Sequence, residues 1–122
     1  MSFDAKPLFI YVAGPYKPIT DDIHDAARIA HQNTRKAILI GNALIERGHY
    51  AFIPHLTHYM HLEMVSKSLP SEFWYKYDIA WLAKCNALYY IAKSKGADIE
   101  LRWARKHMLK IFHHLDEVPR VK

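Results

Sequence analysis

The sequence predicts a single α/β domain built on a parallel sheet, and three observations lead there. Short apolar runs rich in β-formers occur at residues 8–13, 50–53 and 87–91, and a fourth, interrupted by Lys110, at 109–112. Segments with helical spacing or helix-start signals separate them. Proline or glycine punctuates several of the boundaries. Continuous rather than alternating apolar runs are expected of strands covered on both faces. Strands alternating with helices make a parallel sheet.

The first strand, Leu8-Phe9-Ile10-Tyr11-Val12-Ala13, lies between Pro7 and Gly14-Pro15. Gly14-Pro15-Tyr16-Lys17-Pro18 must be a loop, because two prolines and a glycine stop both strand and helix. Thr20, Asp21 and Asp22 offer caps and acidic first-turn residues. Ile23, Ala26, Ala27, Ala30, Thr34, Ala37, Ile38, Gly41, Leu44 and Ile45 then follow the helical period, and Gly48 sits where a helix ends. A helix from Asp22 to Arg47 would be about 39 Å long, enough to cover a sheet face and leave a part for another subunit.

Tyr50-Ala51-Phe52-Ile53 reads as the second strand, stopped by Pro54. His55 to Leu69 is polar and shows no clear period. Ser71 and Glu72 open a second helix that ends near Cys85-Asn86. Ala87-Leu88-Tyr89-Tyr90-Ile91 is the third strand, and Ser94-Lys95-Gly96 turns into a third helix from about Ala97 to His107. Leu109-Lys110-Ile111-Phe112 is the fourth strand, and the last ten residues carry no assignment. Right-handed crossovers restrict the topology. The economical result is a flavodoxin-like, Rossmann-like three-layer sandwich of four or five strands, with order 2-1-3-4 and any fifth strand at the end.

The chain has 122 residues, a length for one domain spanning 1–122. It is 51% hydrophobic and 24% charged, the balance of a folded domain. Such a chain buries roughly two-thirds of its unfolded surface and needs no metal or disulfide to hold a core. Cys85 is the sole cysteine, so no internal disulfide is available and a reducing cytoplasm is the expected location. No apolar run reaches the length of a membrane span, and Met1 to Pro7 lacks the shape of a signal peptide. The net charge of +5 and pI of about 9.3 raise nucleic-acid binding as a reading. The basic residues are dispersed, however, with no block of five or six like charges. A small anion fits the charge equally well.

In an open α/β sheet, ligands bind beyond the carboxyl ends of the strands, at the point where the order reverses. With order 2-1-3-4 that point lies between the first and third strands. The loops there are Ala13-Gly14-Pro15-Tyr16 and Lys93-Ser94-Lys95-Gly96. Glycine in each lets backbone approach a ligand, and the second opens a helix whose free N–H groups receive an anion. Taken singly, Glu100 is an acid favoured by the helix dipole, Asp78 a helix carboxylate and Tyr11 a core residue. Together, two carboxylates and a tyrosine beside an anion cradle have the make-up of a glycosyl-transfer site, where one carboxylate attacks and the other donates a proton.

These residues resemble the nucleoside 2-deoxyribosyltransferase-like superfamily over most of the chain. Ile10-Tyr11-Val12-Ala13-Gly14-Pro15-Tyr16 is similar to the family's first strand and loop. Tyr77-Asp78-Ile79-Ala80-Trp81-Leu82 resembles its acidic helix, and Cys85-Asn86-Ala87-Leu88 the step into the next strand. Ser94-Lys95-Gly96-Ala97-Asp98-Ile99-Glu100, followed by Ala104, resembles its signature of serine, glycine and nucleophilic glutamate. The resemblance implies a homodimer that cleaves an N-glycosidic bond. Glu100 would attack C1′, Tyr11 would hold that carboxylate, and Asp78 would bind the base and help protonate it. It implies a nucleoside or nucleotide as partner and no cofactor. Ser94 resembles the serine that meets the 5′-phosphate in the nucleoside monophosphate hydrolases, which favours a nucleoside 5′-monophosphate as substrate. A base-exchanging transferase and a non-catalytic nucleotide-binding module are the alternatives. Asp98 and Pro15-Tyr16 depart from the family pattern, the first standing where a second glycine is common. Pro54-His55 and the small size are similar to an uncharacterised branch.

His55, His58 and His61 recur every third residue. Only Glu63 stands near to complete a tetrahedral set, and no metal is expected. The expected role of His55 is contact with substrate, alongside Gly14, Pro15, Tyr16, Ser94 and Gly96. Phe73, Trp74, Tyr75 and Tyr77 crowd the approach to Asp78. Core and subunit interface account for them best, and a wall for stacking a base is the functional reading.

Overall fold

The computed structural model describes residues 6–17, 20–63 and 70–121. The elements run β1 (Phe9–Ala13), α1 (Ile23–Glu46), β2 (Tyr50–Phe52), a 3-10 turn (Pro54–Leu56), α2 (Thr57–Leu62), α3 (Ser71–Leu82), β3 (Ala87–Tyr90), α4 (Lys95–Lys106), β4 (Lys110–Phe112) and a 3-10 turn (Leu115–Glu117). The sheet is parallel with order β2-β1-β3-β4. Four strands form, and the segment after β4 makes a 3-10 turn instead of a fifth strand among the described residues.

The side-chain alternation of β1 divides the core in two. Ile10 and Val12 face α1, in a cluster with Ala37, Leu44, Ala87, Tyr89, Phe112 and Val118. Tyr11 and Ala13 face the other way, in a cluster with Leu82, Leu88, Ala97, Leu101 and Ala104 from α3, β3 and α4. One helix on one face and two on the other is what right-handed crossovers dictate for this strand order.

α1 begins where the acidic segment predicts. Asp22 is its N-cap and accepts a hydrogen bond from the Asp25 N–H at 3.0 Å. Its C-cap is Arg47, followed by Gly48 at φ +94°. Its buried residues are Thr34, Ala37, Gly41 and Leu44. The sheet therefore meets the carboxyl half, and the amino half extends past it.

α2 was not legible as a helix, since residues 55–62 alternate His, Thr and Tyr with few apolar anchors. The side chains of His58 and His61, and all of residues 64–69, lie outside the described residues. α4 starts earlier than the sequence implies. Ser94 is its N-cap, so Lys95 and Gly96 are helical and Glu100 falls in the second turn.

Candidate functional site

β1, α3 and α4 bring Tyr11, Asp78 and Glu100 together on one face of the sheet. The Tyr11 hydroxyl donates a buried hydrogen bond to Glu100 Oε2. Tyr11 is fully buried and Glu100 is 8% exposed. Tyr11 has little freedom, because its ring stacks on Phe52 at 5.6 Å and Phe52 stacks on Trp81 at 5.1 Å. This ladder of three rings connects β1, β2 and α3. It was missed in the sequence, although the register Tyr11↔Phe52 places both rings on one face.

Burial dominates the electrostatics. Removing Glu100 from water pushes its carboxyl up to about 8; the Tyr11 hydrogen bond opposes this and the Asp78 charge adds to it. Burial likewise raises Asp78 to about 7. Tyr11 is held well above its ordinary value, first by burial and then by the Glu100 and Asp78 charges. The two carboxyls thus share a low-dielectric site in which simultaneous ionisation is disfavoured, and they titrate as a pair. Asp78 Oδ1 is buried and has no hydrogen-bond partner among the described residues. A buried acceptor without a partner costs about 1–3 kcal/mol, so it is ready to take a donor. The described ion pairs, Arg28–Asp25 at 3.4 Å and Lys76–Glu72 at 3.6 Å, lie elsewhere.

The carboxyl ends of β1 and β3 adjoin, with Ala13 paired to Tyr90. The loop after β1 is fixed from two sides. His55, 5% exposed, approaches the Pro15 carbonyl with Nε2 at 3.0 Å, and Asn33 Nδ2 donates to the Tyr16 carbonyl at 3.2 Å. The ring of Tyr16 stands edge-on to that of His55 at 6.0 Å. A carbonyl accepts, so Nε2 carries the proton, and burial keeps the imidazole neutral by lowering its pKa. His55, expected from the sequence to contact substrate, uses its Nε2 to brace the loop after β1, while its Nδ1 is buried and without a partner among the described residues. Gly14 is explained by packing: a Cβ there would meet Ile91 at 3.0 Å.

At the start of α4, Ser94 Oγ accepts a hydrogen bond from the Ala97 N–H at 3.1 Å. Its acceptor side is thereby used, and its O–H remains a donor. A Cβ on Gly96 would meet nothing nearer than Tyr75 Cε1 at 3.8 Å. Packing therefore does not require glycine there, whereas the close approach of a ligand would. Asp98 does not stand as a bare charge, since the Tyr90 hydroxyl donates to its Oδ1 at 2.6 Å.

Among the described residues, no group of three or more His, Cys, Asp and Glu could hold a metal ion. No described helix is long and apolar enough to cross a membrane. Phe73, Trp74 and Tyr77 pack on one another at 5.3–6.3 Å, with Phe73 and Tyr75 about two-fifths exposed. No protein-family model matches the chain, and a comparison with curated proteins finds no match.

Proposed function

We propose that the chain is an N-glycosidase that cleaves the base–sugar bond of a nucleoside 5′-monophosphate, working as a homodimer. The observation that carries this reading is the buried hydrogen bond from Tyr11 to Glu100, in a site that also contains Asp78. A carboxylate fixed by a phenol, beside a second carboxyl titrating near neutrality, provides a nucleophile and an acid within one water-poor site.

The Glu100 carboxylate attacks C1′ as the C1′–N bond breaks, and the bonding pair leaves with the base. Asp78 delivers a proton to the departing nitrogen. Water then attacks C1′ of the glycosyl ester, returning Glu100 as carboxylate and a proton to Asp78. Tyr11 donates to Glu100 throughout and restrains its rotation. Only the form with Glu100 ionised and Asp78 protonated is competent; with Glu100 raised to about 8 and Asp78 to about 7, that form is the minor one of the singly protonated pair, and substrate binding must draw the proton to Asp78. The Ser94 hydroxyl and the N–H groups opening α4 would receive the 5′-phosphate.

The test is to incubate the protein with each ribo- and deoxyribonucleoside monophosphate and follow free base by chromatography. Base release that disappears in Glu100→Ala supports the reading; release that survives it removes the assigned role. Addition of a second free base separates a hydrolase from a transferase, because only the latter exchanges bases. Binding without turnover identifies a non-catalytic nucleotide-binding module.

A further inference from the structure

The chain's excess positive charge gathers on and around α4. Residues 93–110 hold six of the 17 Lys and Arg and two of the 12 Asp and Glu, a net of +4 out of the chain's +5. In sequence these cations never stand more than two together. The helix collects them. Lys95, Arg102 and Lys106 are seven and four residues apart, so they fall within about 40° of one another around α4 and span about 16 Å along its axis. All three are exposed. The opposite side of α4 is the buried one, with Ala97, Leu101 and Ala104 in the core.

The acids of α4 do not offset this stripe. Glu100 is buried and bonded to Tyr11, and Asp98 accepts from the Tyr90 hydroxyl at 2.6 Å. The described ion pairs lie on α1 and α3. Within its own bounds α4 has two more Lys and Arg than Asp and Glu, against one more in α1 and one fewer in α3. An aromatic residue follows each of two stripe cations, Trp103 after Arg102 and His107 after Lys106. Their rings stack at 3.8 Å and 16°, and His107 Nδ1 lies 2.9 Å from the Trp103 carbonyl, which fixes the imidazole. His107 is exposed.

We propose that the outward face of α4 binds single-stranded nucleic acid, with phosphates on Lys95, Arg102 and Lys106 and a base stacked on the exposed ring of His107. A line of cations beside an aromatic platform is the combination that holds a single strand, because phosphates take the charges and bases take the ring faces. The stripe has the length of about three to five nucleotides. An anionic lipid surface would use the charges alone, so the stacked ring pair favours a nucleic acid. The surface is separate from the chemistry at Glu100, which lies on the buried side of the helix, and its test needs no turnover.

Fluorescence anisotropy of a labelled oligothymidylate of about 12 nucleotides, titrated with the whole chain from about 50 to 200 mM salt, reads the outcome. Binding should weaken with salt at a log–log slope of about −2, the value for three phosphate contacts to a single strand. Arg102→Glu should lower affinity at least about tenfold and flatten the slope by about 0.7, with an unchanged far-ultraviolet circular dichroism spectrum. If Arg102→Glu does not fold, Lys106→Glu decides by the same two readings. His107→Ala should lower affinity about tenfold. No binding at the lowest salt, or affinity that a folded charge variant leaves unchanged, overturns the proposal. So does tighter binding of a duplex of the same length, or binding to anionic phospholipid vesicles without binding to the oligonucleotide.

Discussion

Tyr11 and Glu100 are 89 residues apart in sequence and share a buried hydrogen bond, phenol to carboxylate, between the central sheet and α4. Burying a carboxyl is costly. A fold that bears this cost holds Glu100 oriented and desolvated, the condition for a carboxylate that reacts with carbon.

Removal of Glu100, the proposed nucleophile, should have the largest effect. Glu100→Gln keeps the size of the side chain and loses the negative oxygen. Base release should fall at least about 10³-fold, while nucleotide binding measured by calorimetry stays within a few-fold of the native protein.

Tyr11→Phe removes the donor that lowers the Glu100 pKa. We expect kcat to fall by about 10–100-fold, since the carboxylate loses its fixed orientation. The alkaline limb of the pH profile should move upward as well, a change that loss of packing alone would not cause.

The pH dependence of kcat/KM should be bell-shaped. Below about 7 both carboxyls are protonated and no nucleophile remains; above about 8 both are ionised and no acid remains. The limbs belong to the pair, and stopped assays of base release from pH 5 to 10 locate them.

The same burial governs stability. The Glu100 pKa is about 8 when folded and near 4.5 when unfolded, so the folded state binds the extra proton between those values. The stabilisation is fully present below about 4.5 and is lost as pH rises through about 8. Across that window one such group removes up to about 1.4 kcal/mol per pH unit. Thermal unfolding of Glu100→Gln should therefore show a flatter dependence on pH than the native protein, with its relative gain greatest at alkaline pH.

The cap made by Ser94 and its proposed contact with the phosphate can be separated. Ser94→Ala should cost about 1 kcal/mol through the lost cap, lowering Tm by about 3–6 °C. Ser94→Asp keeps the cap and adds a negative charge, so it should recover Tm and still raise KM for a monophosphate.

Much of this was legible in the sequence, and the failures share a physical cause. β1 and α1 were readable because Pro7, Gly14-Pro15, Asp22 and Gly48 bracket strong local periods. The convergence of Tyr11, Asp78 and Glu100 was readable because strand order fixes which carboxyl ends adjoin. The α4 start was misjudged because Gly96 reads as turn punctuation, while Ser94 caps a helix that passes through it. The bracing of Pro15 by His55, the Phe52–Trp81 stack and the Tyr90–Asp98 hydrogen bond were not legible. Each depends on side-chain placement across separate elements, which no local pattern encodes.

The most direct measurement is peptide mass mapping after reaction with a 2′-fluorinated arabinonucleoside 5′-monophosphate, whose fluorine slows release of a glycosyl ester. Free base equal to the amount of protein and a fluorinated sugar-phosphate adduct on Glu100 are the expected result. Turnover of substrate with no adduct at that residue, or an adduct on a different side chain, would contradict it.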